Sequence, residues 1–336
     1  MSNPANEITR LDHCTVDSIP DAVLCSTQPV LLTGLVESWP IVQAGKQSDQ
    51  AAADYIRRFD QAIPLTAYEG VAENNGRIFY NEDFTGFNFE RTRQPLEQVL
   101  KKVFDVIDDV VAPSYYVGST MIDHWLPGFR AENDIDLGQR DRLVSLWLGN
   151  RSQIAAHYDF PNNIACSVVG RRRVTLFPPE QGSNLYVGPL EFTPSGQPIS
   201  LVDSCNPDFD KFPKYQQALD ASFSLELEPG DALFIPSMWW HHIEALEGFN
   251  VLVNYWWRST PAYLGSPLNA LHHAVMSLRD LPPEQRHVWK AIFDQYVFSD
   301  DEHAFDHIPQ HARGILSGID EKSANSIRAQ LVKFLK

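Results

Sequence analysis

The chain has 336 residues, 43% of them hydrophobic and 21% charged, a globular balance long enough to bury a sizeable core. Asp and Glu number 43 against 27 Lys and Arg, so the net charge of −16 disfavours DNA and anionic lipid surfaces as partners. No stretch approaches the roughly 20 apolar residues of a membrane span, and no basic-then-apolar leader opens the sequence. Cys14, Cys25, Cys166 and Cys205 show no CxxC spacing, which points to reduced thiols and a cytoplasmic location.

In chain order, residues 1 to about 27 are polar and mixed, with a short helix or strand expected at 8–11. Residues 29–35 read as a buried strand closed by Gly34. Ala51, Tyr55, Ile56 and Phe59 fall at helical spacing within 50–59. Short strands are expected at 66–68 and 77–80, around a turn at Asn74-Asn75-Gly76. Residues 95–111 carry Leu96, Val99, Leu100, Val103, Phe104 and Ile107 on one helical face.

From residue 114 the pattern changes. Segments at 115–117, 143–148, 164–169, 172–177, 223–227, 232–235, 241–245 and 251–257 are short, β-branched or aromatic, and separated by Gly, Pro, Asn or Asp. They predict a mainly β chain with flanking helices, its strands forming an antiparallel double-sheet jelly roll, the cupin architecture. Residues 178–222 form a long Pro- and Gly-containing insert, expected as a loop over one mouth of the barrel. Helices follow at 268–278, 283–297 and 324–334. The expected organisation is an N-terminal α/β extension over 1–112, a jelly-roll core over 113–258, and a C-terminal helical appendage over 259–336. A helical appendage of this size is expected to pair with a second copy, giving a homodimer.

Residues two apart on a strand share a face, so His157 and Asp159 can reach one point together. A third ligand from another strand would complete a two-histidine, one-carboxylate set, the arrangement of non-haem Fe(II) oxygenases. His241 and His242 both offer themselves. His241 shares its phase with Trp239 and Ile243, the more apolar face, and is the chosen ligand, leaving His242 at the rim or behind the ligands. By the same alternation Arg172 goes inward with Val174 and Leu176. A buried guanidinium needs an anion, either an internal carboxylate or a dicarboxylate co-substrate gripped bidentately. Asn163, Asn254 and Tyr116 lie where they either orient a bound carboxylate or satisfy the core. His303, His307 and His311 have helical spacing, but Pro309 interrupts it, and they read as exposed.

Several motifs in order carry a resemblance: Ala156-His157-Tyr158-Asp159, Gly170 through Leu176-Phe177-Pro178-Pro179, Asn206-Pro207-Asp208, Pro229-Gly230-Asp231, and Trp239-Trp240-His241-His242-Ile243-Glu244. Over about residues 28–275 the chain resembles the JmjC/cupin-like Fe(II)- and 2-oxoglutarate-dependent oxygenases, in particular asparaginyl hydroxylases of the factor-inhibiting-HIF type and bacterial cupin-like relatives. The resemblance implies iron held by His157, Asp159 and His241, with 2-oxoglutarate and O2 as co-substrates. It places Arg172, Tyr116, Asn163 and Asn254 on 2-oxoglutarate and Trp256 beside the substrate. It further implies a hydroxylase acting on a protein or peptide side chain, with a tRNA base or small metabolite as the next substrate class. Three positions depart from that pattern: Arg172 stands for a lysine, Ile154 for a threonine, and Pro198-Ile199 for an Arg-Gln pair on the substrate. A non-catalytic cupin scaffold and a zinc or manganese isomerase remain as other readings.

Overall fold

The computed structural model describes residues 7–194 and 196–335, in two compact units, one ending at Arg258 and the other beginning at Ser259. The strands all lie in the first. In chain order they are β1 (Thr9–Asp12), β2 (Val30–Thr33), β3 (Leu65–Gly70), β4 (Arg77–Ile78), β5 (Phe89–Gln94), β6 (Ser114–Met121) and β7 (Arg142–Gly149). The second half of the series is β8 (Ser152–Tyr158), β9 (Asn162–Val169), β10 (Arg172–Phe177), β11 (Phe223–Leu227), β12 (Ala232–Ile235), β13 (Trp240–Ala245) and β14 (Asn250–Trp257).

They form a nine-stranded sheet, β1-β2-β12-β9-β14-β7-β6-β3-β5, and a five-stranded sheet, β11-β10-β13-β8-β4. Pairing is antiparallel except for β1 with β2 and β4 with β8. This is the expected mainly β, cupin-like jelly roll with flanking helices. The strands expected at 66–68 and 77–80 exist, but they are not a hairpin. β3 pairs with β5 and β6 in the large sheet, while β4 runs beside β8 in the small one. The turn between them, with Asn75 in the left-handed region at φ 50°, carries the chain from one sheet to the other.

The largest core cluster joins strands of the nine-stranded sheet to N-terminal helices. Helix Pro40–Gln47 has Pro at its first turn, where no intrahelical N–H is lost. Helix Asp49–Arg57 is capped by Ser48, whose hydroxyl accepts from the Ala51 N–H. Helix Leu96–Asp105 buries Leu96, Val99, Leu100 and Val103, the stripe read from the sequence. It stops at Asp105, and Val110 and Val111 beyond it are exposed.

A second cluster, with Leu31, Val174, Leu176, Leu227, Leu233, Ile235 and Trp239, joins residues of the two sheets. The insert contributes Leu185, Val202, Tyr215 and Ala218, packed with Ala156, Phe177 and Trp240 of the small sheet. One turn ties the opening strand to the barrel. Asp231 accepts from the Gly34 N–H at 2.8 Å and the Glu228 N–H at 3.0 Å. Gly230 beside it has φ 110°, and a Cβ there would press on Glu37 at 3.1 Å.

The second unit contains helices Pro267–Leu278, Pro283–Tyr296 and Glu321–Phe334, the first capped by Ser266 and the last by Asp320. Val288, Trp289, Val332 and Phe334 are exposed on it. His303 and Asp306 form an exposed pair, and no metal-ligating cluster includes His303, His307 or His311 among the described residues. No helix among the described residues is long and apolar enough to cross a membrane.

Asp231→Ala removes two hydrogen bonds to a charged acceptor and is expected to cost about 2–3 kcal/mol of stability, read by urea unfolding. A midpoint equal to that of the wild type would contradict this account of the turn.

Candidate functional site

The two sheets enclose a cavity of about 520 Å³. From the five-stranded sheet and its connections it is lined by His157, Asp159, Arg172, His241, Ile243 and Ala245; from the nine-stranded sheet by Tyr116, Trp147, Asn163, Leu252, Asn254 and Trp256. All eight site residues expected from the sequence therefore face one space.

β13 pairs with β8 so that His241 lies directly opposite His157, with ring centroids 4.3 Å apart. The register shifts after His241, where a bulge precedes Ile243. Each imidazole is oriented by the carbonyl two residues before it: His157 Nδ1 donates to the Ala155 carbonyl at 2.9 Å, and His241 Nδ1 to the Trp239 carbonyl at 3.0 Å. Both Nε2 lone pairs are then left for a ligand. Asp159 Oδ2 lies 3.6 Å from His241 Nε2, and one ligand atom from each of the three side chains falls within 4.8 Å of the others. Burial first, and the neighbouring His157 second, push the His241 pKa down to about 4, so the ring is neutral and able to coordinate near pH 7. Two imidazole nitrogens and a carboxylate on one side of a cavity are a donor set that fits a divalent iron.

Arg172 is 5% exposed, and its Nη1 reaches only neutral oxygens: the Val251 carbonyl at 2.9 Å, Ser167 Oγ at 3.3 Å and the Val169 carbonyl at 3.5 Å. No carboxylate pairs with it among the described residues, whereas Arg171 and Arg173 beside it pair with Glu226, Glu244 and Glu247 at the surface. The internal salt bridge that would have explained an inward arginine is absent among the described residues. Burial lowers the guanidinium to about 10, which still leaves it cationic near neutrality. Tyr116, on the facing sheet, is raised by burial, an effect Arg172 partly opposes, and it stays a neutral hydroxyl donor. A cation paired with no carboxylate among the described residues, together with a hydroxyl on the same cavity, forms a receptor for a carboxylate.

The remaining polar residues form a chain on the nine-stranded sheet. Trp147 Nε1 donates to Asn254 Oδ1 at 2.7 Å, and Asn254 Nδ2 donates to Asn163 Oδ1 at 3.2 Å. Gly118 admits this arrangement, since a Cβ there would meet the rings of Tyr116 and Trp147 at 3.2 Å. Trp256 packs edge-on to Trp147 at 5.8 Å, and its buried Nε1 has no partner among the described residues. Gln197, from the insert, also lines the cavity, and its buried side-chain oxygen has no partner among the described residues. Nothing in the sequence pattern singled out Gln197, because it acquires its position only from the path of the insert. Ile199 forms a bridge with His157, and Phe192 of the insert stacks on Phe87 at 4.7 Å near the mouth. Ile199 thus supplies backbone and apolar wall where the family resemblance implied a polar grip at 198–199.

The fold and this site define a cupin. The chain belongs to the cupin-like domain family, which it matches over residues 17–263. It is 33% identical to the tRNA wybutosine-synthesizing protein 5 of Gallus gallus over 84% of the chain and 92% of that protein. It is 24% identical to Lysine-specific demethylase 8 of Xenopus tropicalis over 73% of the chain, and 25% identical to HSPB1-associated protein 1 of Bos taurus over 72%. The aligned segment spans about half the length of these two, 52% and 50% respectively.

Arg172→Met replaces an unpaired buried cation by an apolar side chain of similar reach. It is expected to leave the Tm of the ligand-free protein unchanged or raised, followed by thermal unfolding. A fall of more than about 5 °C would show that Arg172 is paid for by the fold and not by a ligand.

Proposed function

We propose that the protein is an Fe(II)- and 2-oxoglutarate-dependent dioxygenase, a hydroxylase whose preferred substrate is a protein side chain. The observation that carries the reading is the unpaired guanidinium of Arg172 in the same cavity as His157, Asp159 and His241. A dicarboxylate would satisfy both ends of that cavity at once: Arg172 and Tyr116 would hold its far carboxylate, and His157, Asp159 and His241 would hold the metal that takes its keto-acid end.

Fe(II), when bound by the three ligands, supplies O2 activation coupled to decarboxylation of 2-oxoglutarate to succinate and CO2, with one oxygen atom entering a substrate C–H bond. The chain's own residues supply orientation and exclusion of water. The backbone carbonyls of Ala155 and Trp239 hold the two imidazoles in the ligating tautomer. Asn254, fixed by Trp147 and Asn163, presents a rigid polar edge to the co-substrate. Ile154, Ile243 and Leu252 keep the pocket apolar around it. At the substrate end, the Trp256 N–H and the Gln197 oxygen offer an unused donor and an unused acceptor. A carboxamide, from a side chain or a peptide bond, presents the complementary pair.

A second substrate reading, a tRNA base, is favoured by the similarity to wybutosine-synthesizing protein 5 across nearly that protein's whole length. A base edge also offers a donor and an acceptor to Trp256 and Gln197. The net charge of −16 weighs against a polyanionic partner, which keeps the protein side chain first. We further propose a cytoplasmic homodimer joined through the C-terminal helices, supported by the exposed Val288, Trp289, Val332 and Phe334. Light scattering at micromolar concentration is expected to give twice the chain mass, and a monomer would overturn this.

With Fe(II) and ascorbate, the wild type is expected to convert 2-oxoglutarate to succinate slowly without a prime substrate. His157→Ala abolishes this turnover, and Arg172→Met raises the KM for 2-oxoglutarate by at least about thirtyfold, the loss of a buried charge pair. Succinate production that survives both changes would refute the assignment. A peptide library and bulk tRNA, compared for stimulation of turnover, separate the two substrate classes.

A further inference from the structure

The outward face of β13 carries a second constellation that the proposed oxygenase chemistry does not use. His242, adjacent to the ligand His241, points away from the cavity and is 3% exposed. Its Nδ1 donates to the Ile154 carbonyl at 2.8 Å, so Nε2 carries the lone pair. That nitrogen lies 3.6 Å from Cys205 Sγ and 3.8 Å from Glu244 Oε1, and the three ligand atoms all fall within 4.8 Å of one another. Cys205 comes from the insert, where Asp203 accepts from its N–H at 3.0 Å and fixes the turn. Glu244 Oε2 faces Arg173 Nη1 at 3.5 Å, which leaves Oε1 turned to the histidine.

We propose that Cys205, His242 and Glu244 form a second metal site, for Zn(II) or a similar thiolate-binding divalent ion, with water in a fourth position. Tetrahedral zinc with Zn–S near 2.3 Å and Zn–N or Zn–O near 2.1 Å places its ligand atoms about 3.4–3.6 Å apart. The sulfur–nitrogen separation matches this, and the nitrogen–oxygen separation of 3.8 Å is too long for a hydrogen bond but close to the ligand spacing. Cys205 is exposed, so a metal ion has access to its sulfur from solvent. On coordination the thiol proton leaves to solvent and the sulfur–metal bond replaces the S–H bond. The site differs from the His157, Asp159 and His241 set in containing sulfur. It would clamp the insert, which supplies Gln197 and Ile199 to the cavity wall, to the strand that carries His241.

Anaerobic titration of the full chain with Co(II) tests this, because only a sulfur ligand gives thiolate-to-cobalt charge-transfer absorption in the near ultraviolet. Wild type is expected to take up two equivalents, one of them with the sulfur band. The His157→Ala/Asp159→Ala double variant keeps one equivalent and the band. Cys205→Ser loses the band, His242→Gln weakens Co(II) binding in that band at least tenfold, and Zn(II) displaces the signal. Circular dichroism confirms that each variant is folded. No sulfur band in the wild type, or a band that survives Cys205→Ser, overturns the proposal; neither result bears on the oxygenase reading, which rests on the other three ligands.

Discussion

The antiparallel pairing of β13 with β8 is the constraint on which the rest depends. It places His241 opposite His157 although they are far apart in sequence, and each ring is fixed by the carbonyl two residues before it. A slip of one residue would turn His241 away and bring His242 inward, exchanging the two faces of the strand. The flanking register, Leu176 opposite His241 and Arg172 opposite Ala245, sets the Arg172 backbone about 13 Å along the strand from Leu176 at the rise of a strand, with a long side chain to reach back into the cavity. Metal ligands and carboxylate receptor therefore lie in one cavity as a consequence of one pairing scheme.

Burying Arg172 without a counter-ion is unfavourable for the fold alone, since the desolvation of a cation costs several kcal/mol. Its surface neighbours Arg171 and Arg173 are paired with glutamates, and Arg172 is not. A group held in this state is expected where a ligand supplies the missing charge. Trp256 and Gln197, which line the same cavity, likewise hold buried polar atoms without a partner among the described residues. The cavity thus has a cation without a carboxylate partner at the Arg172 end, a metal-ligating set at His157, Asp159 and His241, and hydrogen-bonding groups at Trp256 and Gln197.

Much of this was legible because strand alternation is a local property. β11 and β12 fall on the residues where the sequence places them, and the inward direction of Arg172 follows from Val174 and Leu176. The choice of His241 over His242 rested on the same alternation, and His241 lies in the cavity. Non-local features were not legible. The sequence reading missed β5, whose residues alternate charge with polarity and gain their strand geometry by pairing with β3. It treated β3 and β4 as neighbours, although pairing in different sheets separates them. Helix Leu96–Asp105 ends earlier than the apolar pattern suggests, because beyond Ile107 the chain no longer buries its stripe. Gln197 and the contact of Cys205 with His242 depend on how a long insert folds back, which no periodicity encodes.

The measurement that tests the central claim most directly is an anaerobic absorption titration of the Fe(II)-loaded protein with 2-oxoglutarate. Bidentate chelation of iron by the keto acid, with the far carboxylate on Arg172, predicts a saturable metal-to-ligand charge-transfer band in the visible. It is expected to vanish in His157→Ala and to need far more 2-oxoglutarate in Arg172→Met. Iron binding without any such band would contradict the account, and would mean that the cation in the cavity awaits a different anion.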